Sequence, residues 1–190
     1  MLVLLATGET QADVDRVYLG QNDSPMTTLG IEQVEDAADT LAPYKIDHIY
    51  CSDLYRAQET LRRVLRKNHH QPPHELVEEL RERSGGAYEG LTYTDIRKGM
   101  SPKQYKAWER DPFEAPLHGE SLIDVQDRMT EWFAIVQQDI EHRLDVLIIS
   151  HPDVIRVLIA MAMNLDLTEV TSIVVEPGIP YFYHGPVQNK

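Results

Sequence analysis

A single cysteine, Cys51, stands in 190 residues. The chain can therefore close no internal disulfide, and it offers neither a CxxC pair nor a cysteine-based zinc site. Basic residues are also scarce: 18 Lys and Arg face 31 Asp and Glu, a formal net charge of −13. A field of that sign repels phosphate backbones and anionic lipid, which argues against nucleic acid and membrane surfaces as partners. Long apolar runs are missing as well. Leu2 to Ala6 is too short for a signal-peptide core and has no basic flank, and no stretch nears the ~20 residues of a membrane helix. The expected compartment is the cytoplasm, and neither a metal nor an organic cofactor is expected. What is present is ordinary for a folded domain, with 42% hydrophobic and 26% charged residues. Apolar periodicity recurs from end to end, so one domain over residues 1–190 is expected rather than disorder.

Leu2-Val3-Leu4-Leu5, ended by Thr7-Gly8, reads as a buried strand running into a loop. Ile31, Val34, Ala38 and Leu41 mark one face of a helix that stops before Pro43. A second strand over Ile46 to Cys51 precedes a helix marked by Leu54, Ala57, Leu61, Val64 and Leu65, and Glu75 to Glu79 reads as a short strand. Gly85 to Gly119 differs in holding five of the ten glycines and three prolines, and it reads as a helical excursion or lid. Ser121, followed by Asp124, caps a long helix with Leu122, Val125, Met129, Phe133, Val136 and Ile140 inward. Val146 to Ile149 is the clearest buried strand and leads into a helix that is apolar almost all round. Strands near Ser172–Val175 and Tyr181–His184 close the chain. This alternation predicts an α/β fold, a three-layer sandwich with a largely parallel sheet. Ligands bind such sheets at the carboxyl ends of the strands. Three of those ends are polar here: Thr7-Gly8-Glu9-Thr10, Ser52 to Arg56, and Ser150-His151.

Five segments in order carry a resemblance: LLATGET from Leu4, Ser-Asp-Leu-x-Arg-Ala-x-x-Thr from Ser52 to Thr60, Glu82 four residues before Gly86 with Tyr88-Glu89-Gly90 after it, Gly119-Glu120-Ser121, and VLIISHPDVIR from Val146. Together they resemble the histidine phosphatase superfamily, which includes the cofactor-dependent phosphoglycerate mutases. The resemblance implies an Arg-His-Gly triplet after the first strand, whose His takes the phosphoryl group. It also implies a second Arg and a second His that complete the anion pocket, and a Glu that protonates the leaving oxygen. Arg56, His151 and Glu82 stand at the last three positions, and Gly8, Asp13 and Glu120 are candidate ligand-binding residues.

The triplet itself reads Ala6-Thr7-Gly8. After the second His, where the resemblance implies Gly, stands Pro152, which has no N–H to donate, and then Asp153, an added negative charge. A charge-assisted hydrogen bond contributes roughly 1.5–3 kcal/mol, so a missing arginine alone weakens phosphate binding tens-fold. Removing one member of a catalytic unit costs on the order of 10⁶ in turnover. A hydroxyl such as that of Thr7 is a weak nucleophile without a base.

Plainer readings stand beside these. Thr7 reads as a turn residue whose hydroxyl satisfies a loop N–H, Arg56 as a partner for acidic side chains, His151 as a satisfied imidazole at a helix start, and Glu82 as part of a solvated charge run. His69, His70 and His74 sit beside Pro72 and Pro73 and read as a surface loop rather than metal ligands. Trp108 and Tyr105 read as the local core of the excursion. Three functions remain open. The first is a degenerate member whose remnant pocket binds a small-molecule ligand, or whose surface binds a protein partner, a homodimer included. The second is an acid–base enzyme using His151 and Glu82 on a less anionic substrate. The third is a phosphomonoesterase or phosphomutase with residual activity through Thr7 and His151, and it makes Thr7 a tentative third catalytic candidate.

Overall fold

Alternation of side chains along three short strands sets the architecture. The computed structural model describes residues 1–68 and 70–185. Leu2–Ala6 (β1) is followed by the short helix Gln11–Val14 (α1), then Thr28–Leu41 (α2), His48–Ser52 (β2), Tyr55–Lys67 (α3) and His74–Val77 (β3). Next come Tyr93–Lys98 (α4), Pro102–Arg110 (α5), Leu122–Glu141 (α6), Val146–Ser150 (β4), Pro152–Met163 (α7), Leu167–Val170 (α8) and Pro180–Tyr183 (β5). The strands form one sheet in the order β3-β2-β4-β1-β5, parallel throughout except for β5 against β1.

Successive residues of a strand point to opposite faces, and the two hydrophobic clusters divide accordingly. Val3, Leu5, Ile49, Cys51, Leu147 and Ile149 pack against Ala37, Ala38 and Leu41 of α2 and Leu61 and Val64 of α3. Leu2, Leu4, Tyr50, Val146 and Ile148 pack on the other face against Val125, Met129 and Phe133 of α6 and Val154, Val157 and Leu158 of α7. This is the expected α/β sandwich with a largely parallel sheet. Among the described residues no helix is long and apolar enough to cross a membrane. Ser121 and Asp124 close a reciprocal capping box at the start of α6, as their spacing predicted.

The strand expected near Ser172–Val175 is not formed, because side chains take the backbone groups that a ladder would use. Arg156 Nε donates to the Ile173 carbonyl at 2.7 Å, Tyr181 Oη donates to the Val174 carbonyl at 3.3 Å, and the Glu176 N–H donates to Tyr181 Oη at 2.8 Å. Residues 85–119 add no strand to the sheet. They hold α4, α5 and a 3₁₀ turn over Gly86–Tyr88, with Trp108 buried among Tyr18, Tyr88 and Tyr105 at ring-centroid distances of 5.4–5.6 Å. The local core expected of Trp108 and Tyr105 is therefore present, and Tyr18 is its link to the main body.

The loop leaving β1 is fixed by a backbone contact that leaves no room for side chains. A Cβ on Gly8 would lie 2.2 Å from the Gly30 carbonyl oxygen, and one on Gly30 would lie 2.0 Å from the Glu9 carbonyl oxygen. Thr27 caps α2 by accepting from the Gly30 N–H at 2.9 Å, and its own N–H donates to the Glu9 carbonyl at 3.0 Å. Gly30→Ala is expected to force this loop off α2 and to cost about 1–3 kcal/mol, the usual range for overpacking. The urea midpoint checks it, and a wild-type midpoint would show that the loop is not held this way.

Candidate functional site

Strand β4 lies between β1 and β2, with Ala6 opposite Ser150 and Cys51 opposite Ile149. The residues that follow each strand therefore meet on one rim, where a cavity of about 250 Å³ opens. Thr7, Gly8, Asp13, Arg56, Glu82 and His151 all line it. Glu120, also expected there, is not among the lining residues: its carboxylate accepts from the Ser84 N–H at 2.8 Å and from Arg128 Nε at 2.8 Å, and so braces the chain behind Glu82. Further wall comes from Val17, Tyr18 and Leu19, from Tyr93 at the start of α4, and from Pro152, Asp153 and Arg156 of α7.

Thr7 continues the β1–β4 ladder, its N–H donating to the Ser150 carbonyl at 3.2 Å. It is 7% exposed, and among the described residues its hydroxyl makes no hydrogen bond, so the loop N–H it was expected to satisfy is not its partner. His151 caps α7 in an extended conformation and is 1% exposed. Its Nε2 lies 2.9 Å from Ser52 Oγ, whereas Nδ1 is buried with no hydrogen-bond partner among the described residues. Burial, followed by the positive fields of Arg56 and Arg128, holds this imidazole well below its ordinary range, so it is neutral at pH 7. Neither ring nitrogen bonds Thr7.

Arg56, in the first turn of α3, is 4% exposed and gives its guanidinium to the chain: Nη1 donates to the Asn22 carbonyl at 2.6 Å and Nη2 to the Gly20 carbonyl at 2.7 Å, with Asp23 Oδ1 at 3.6 Å from Nη1. Arg56 thus stands both beside an acidic side chain and in the cavity wall, the two places between which the sequence left it. Asp13 Oδ2 accepts from the Thr10 N–H and hydroxyl at 2.7 and 2.8 Å, so this wall carboxylate is fixed by capping α1. Glu82 Oε1 accepts from the Arg83 N–H at 2.8 Å. Burial first, and then the nearby charge of Asp153, push its carboxyl up to about 7.

Asp153 was read in the sequence as an added negative charge beside the second His, whereas its neighbours Arg83, Arg156 and Tyr18 were not singled out. Asp153 Oδ2 lies 2.8 Å from Arg83 Nε, and Oδ1 lies 2.5 Å from Arg156 Nη1. Burial raises the pKa of the Tyr18 hydroxyl well above its ordinary value, and the Arg83 and Asp153 charges both act on it. The Asp153/Arg156 spacing of three on a helix was a readable signal for their pair. Nothing in the sequence brought Arg83 or Tyr18 to it. Of the three histidines near the prolines, His69 lies outside the described residues. The His70 N–H donates to Asn68 Oδ1 at 2.9 Å, His74 Nδ1 lies 3.3 Å from the Pro72 carbonyl, and no group of three metal-ligating side chains occurs among the described residues.

The profile of the histidine phosphatase superfamily (branch 1) matches residues 2–178. The adenosylcobalamin/alpha-ribazole phosphatase of Escherichia coli K12 is 32% identical over 178 residues, 93% of this chain and 86% of that one. The 2,3-bisphosphoglycerate-dependent phosphoglycerate mutase of Bartonella bacilliformis is 31% identical over 96% of this chain and 90% of its own. A mycobacterial glucosyl-3-phosphoglycerate phosphatase solved with VO3 superposes with a TM-score of 0.84 at 27% identity, covering 94% of this chain and 88% of that one.

Folded Glu82 keeps its proton to about pH 7, whereas the unfolded chain releases it near 4.5. The native state thus binds more protons between these values, and stability falls as pH rises through them. Glu82→Gln is expected to remove that fall, by at most roughly 3.5 kcal/mol at about 1.4 kcal/mol per unit. Neutral His151 acts oppositely, losing stability as pH drops below about 6.5. Urea midpoints of wild type and Glu82→Gln from pH 5 to 8 test this, and parallel curves would remove Glu82 from the titration.

Proposed function

Because the chain belongs to the histidine phosphatase superfamily (branch 1), we propose that it is a member without phosphohistidine chemistry whose strand-end cavity binds a small ligand. One observation carries the reading: the residue that follows β1 into the cavity is Thr7, and no base engages its hydroxyl. His151 is the only histidine lining the cavity among the described residues, and its one hydrogen-bonded nitrogen faces Ser52. A phosphomonoesterase running through Thr7 and His151 would need that imidazole turned onto the threonine.

Further support comes from charge. Arg56 is committed to two carbonyls, and Arg156 to Asp153 and the Ile173 carbonyl, so both lining guanidiniums are already engaged. Asp13 and Asp153 add carboxylates to the wall. The raised carboxyl of Glu82 also favours a second reading, in which the cavity carries out proton transfer on a substrate less anionic than a phosphate monoester, with Glu82 as the donor.

Assays with p-nitrophenyl phosphate test the proposal. Wild type is expected to show no turnover above background. Ala6→Arg combined with Thr7→His is expected to raise hydrolysis by at least about 10³-fold, part of the ~10⁶ that a complete catalytic unit contributes. Wild-type hydrolysis that Thr7→Ala abolishes, or a covalent phosphate trapped on any side chain during turnover, would overturn it.

A further inference from the structure

A carboxylate in the first turn of a helix that faces a ligand cavity is out of place if that cavity receives anions. The N-terminal end of a helix carries partial positive charge and free N–H donors, and both favour an anionic ligand. At the start of α7 the first helical residue is Pro152, which has no N–H, and the second is Asp153, whose carboxylate lies between two arginines from different elements. Arg83 and Arg156 have 10% and 21% of their side-chain surface exposed, and they approach opposite oxygens of Asp153. The third arginine near the cavity, Arg56, is held by the Gly20 and Asn22 carbonyls.

We infer that Asp153 fills, with its own carboxylate, the place that an anionic group of a ligand would take, and so restricts the cavity to ligands whose buried group is neutral or cationic. The inference rests on the reading that this site does not process phosphate esters, and it names the ligand class of that site. An entering phosphate or carboxylate would have to displace Asp153 from Arg83 and Arg156, or stand beside the Asp153 and Asp13 carboxylates without a free guanidinium to pair with. A hydroxyl, amide or ammonium group meets no such conflict. It finds the acceptor oxygens of Glu82 and Asp13, and beside them the rings of Tyr18 and Tyr93. Asp153 is thus a specificity-determining residue whose effect is exclusion.

Equilibrium binding of inorganic phosphate to the whole chain tests this, by calorimetry and thermal unfolding, with chloride at matched ionic strength as control. Wild type is expected to show no phosphate-specific shift of its unfolding midpoint. Asp153→Asn and the smaller Asp153→Ser release Arg156, which lines the cavity, and Arg83 on the far side of Asp153, and each is expected to bind phosphate at least about tenfold more tightly than wild type, as charge-assisted hydrogen bonds to the freed guanidiniums require. If either variant is unstable alone, phosphate and not chloride should restore its folding. The inference is overturned if wild type binds phosphate as tightly as the variants, if the folded variants gain no affinity, or if phosphate fails to restore an unstable one. Hydrolysis by wild type would defeat the parent reading. Affinity gained on removing Asp153 is read without turnover, so the two failures are told apart.

Discussion

Parallel pairing of β1 and β2 on either side of β4 is the constraint from which the site follows. Once Ala6 sits opposite Ser150 and Cys51 opposite Ile149, residues far apart in the chain must emerge side by side, and they emerge at the carboxyl edge, where loops rather than ladders decide chemistry. The apolar interiors of these strands make the register strict, since a slip of one residue would turn Leu2, Leu4, Val3 and Leu5 to the wrong faces. The same interiors leave the rim as the first place where polar groups are tolerated.

At that rim, burial and charge pull against each other. His151 is so enclosed that it stays neutral, and a neutral imidazole bonded to Ser52 is an acceptor or a single donor rather than a cation for an ester. Glu82 feels the same enclosure with the opposite sign and retains a proton that a surface glutamate would lose. The arginines that could offset this are tied to backbone carbonyls or to Asp153. The charges of this interior thus largely satisfy one another.

Much of this was legible in the residues. The continuous apolar strands, the amphipathic helices and the Ser121–Asp124 cap have strong local periodicity or chemistry, and the structure holds them within a few residues of where they were expected. Thr7, Arg56, Glu82 and His151 were legible because they sit in segments with a known resemblance. The misplaced strand near Ser172–Val175 shows the limit: its β-branched residues suit a strand, but Arg156 and Tyr181, distant in sequence or across a turn, claim its carbonyls. Glu120 was misplaced for a similar reason. Its segment matched, yet its carboxylate serves Arg128 and Ser84. Arg83 and Tyr18 were invisible because their roles depend on a contact between the loop after α1 and the segment after β3, which no local pattern encodes.

That contact has an optical consequence. The Tyr18 ring lies against Trp108 at a centroid distance of 5.5 Å, while the residue also forms part of the cavity wall. The neighbouring backbone is tied to the same region by the Val17–Thr92 bridge. A molecule settling against Tyr18 would alter the surroundings of a buried indole whose Nε1–H has no partner among the described residues. The chain thus carries its own fluorophore one ring away from the cavity, and occupancy can be followed by emission without attaching a label.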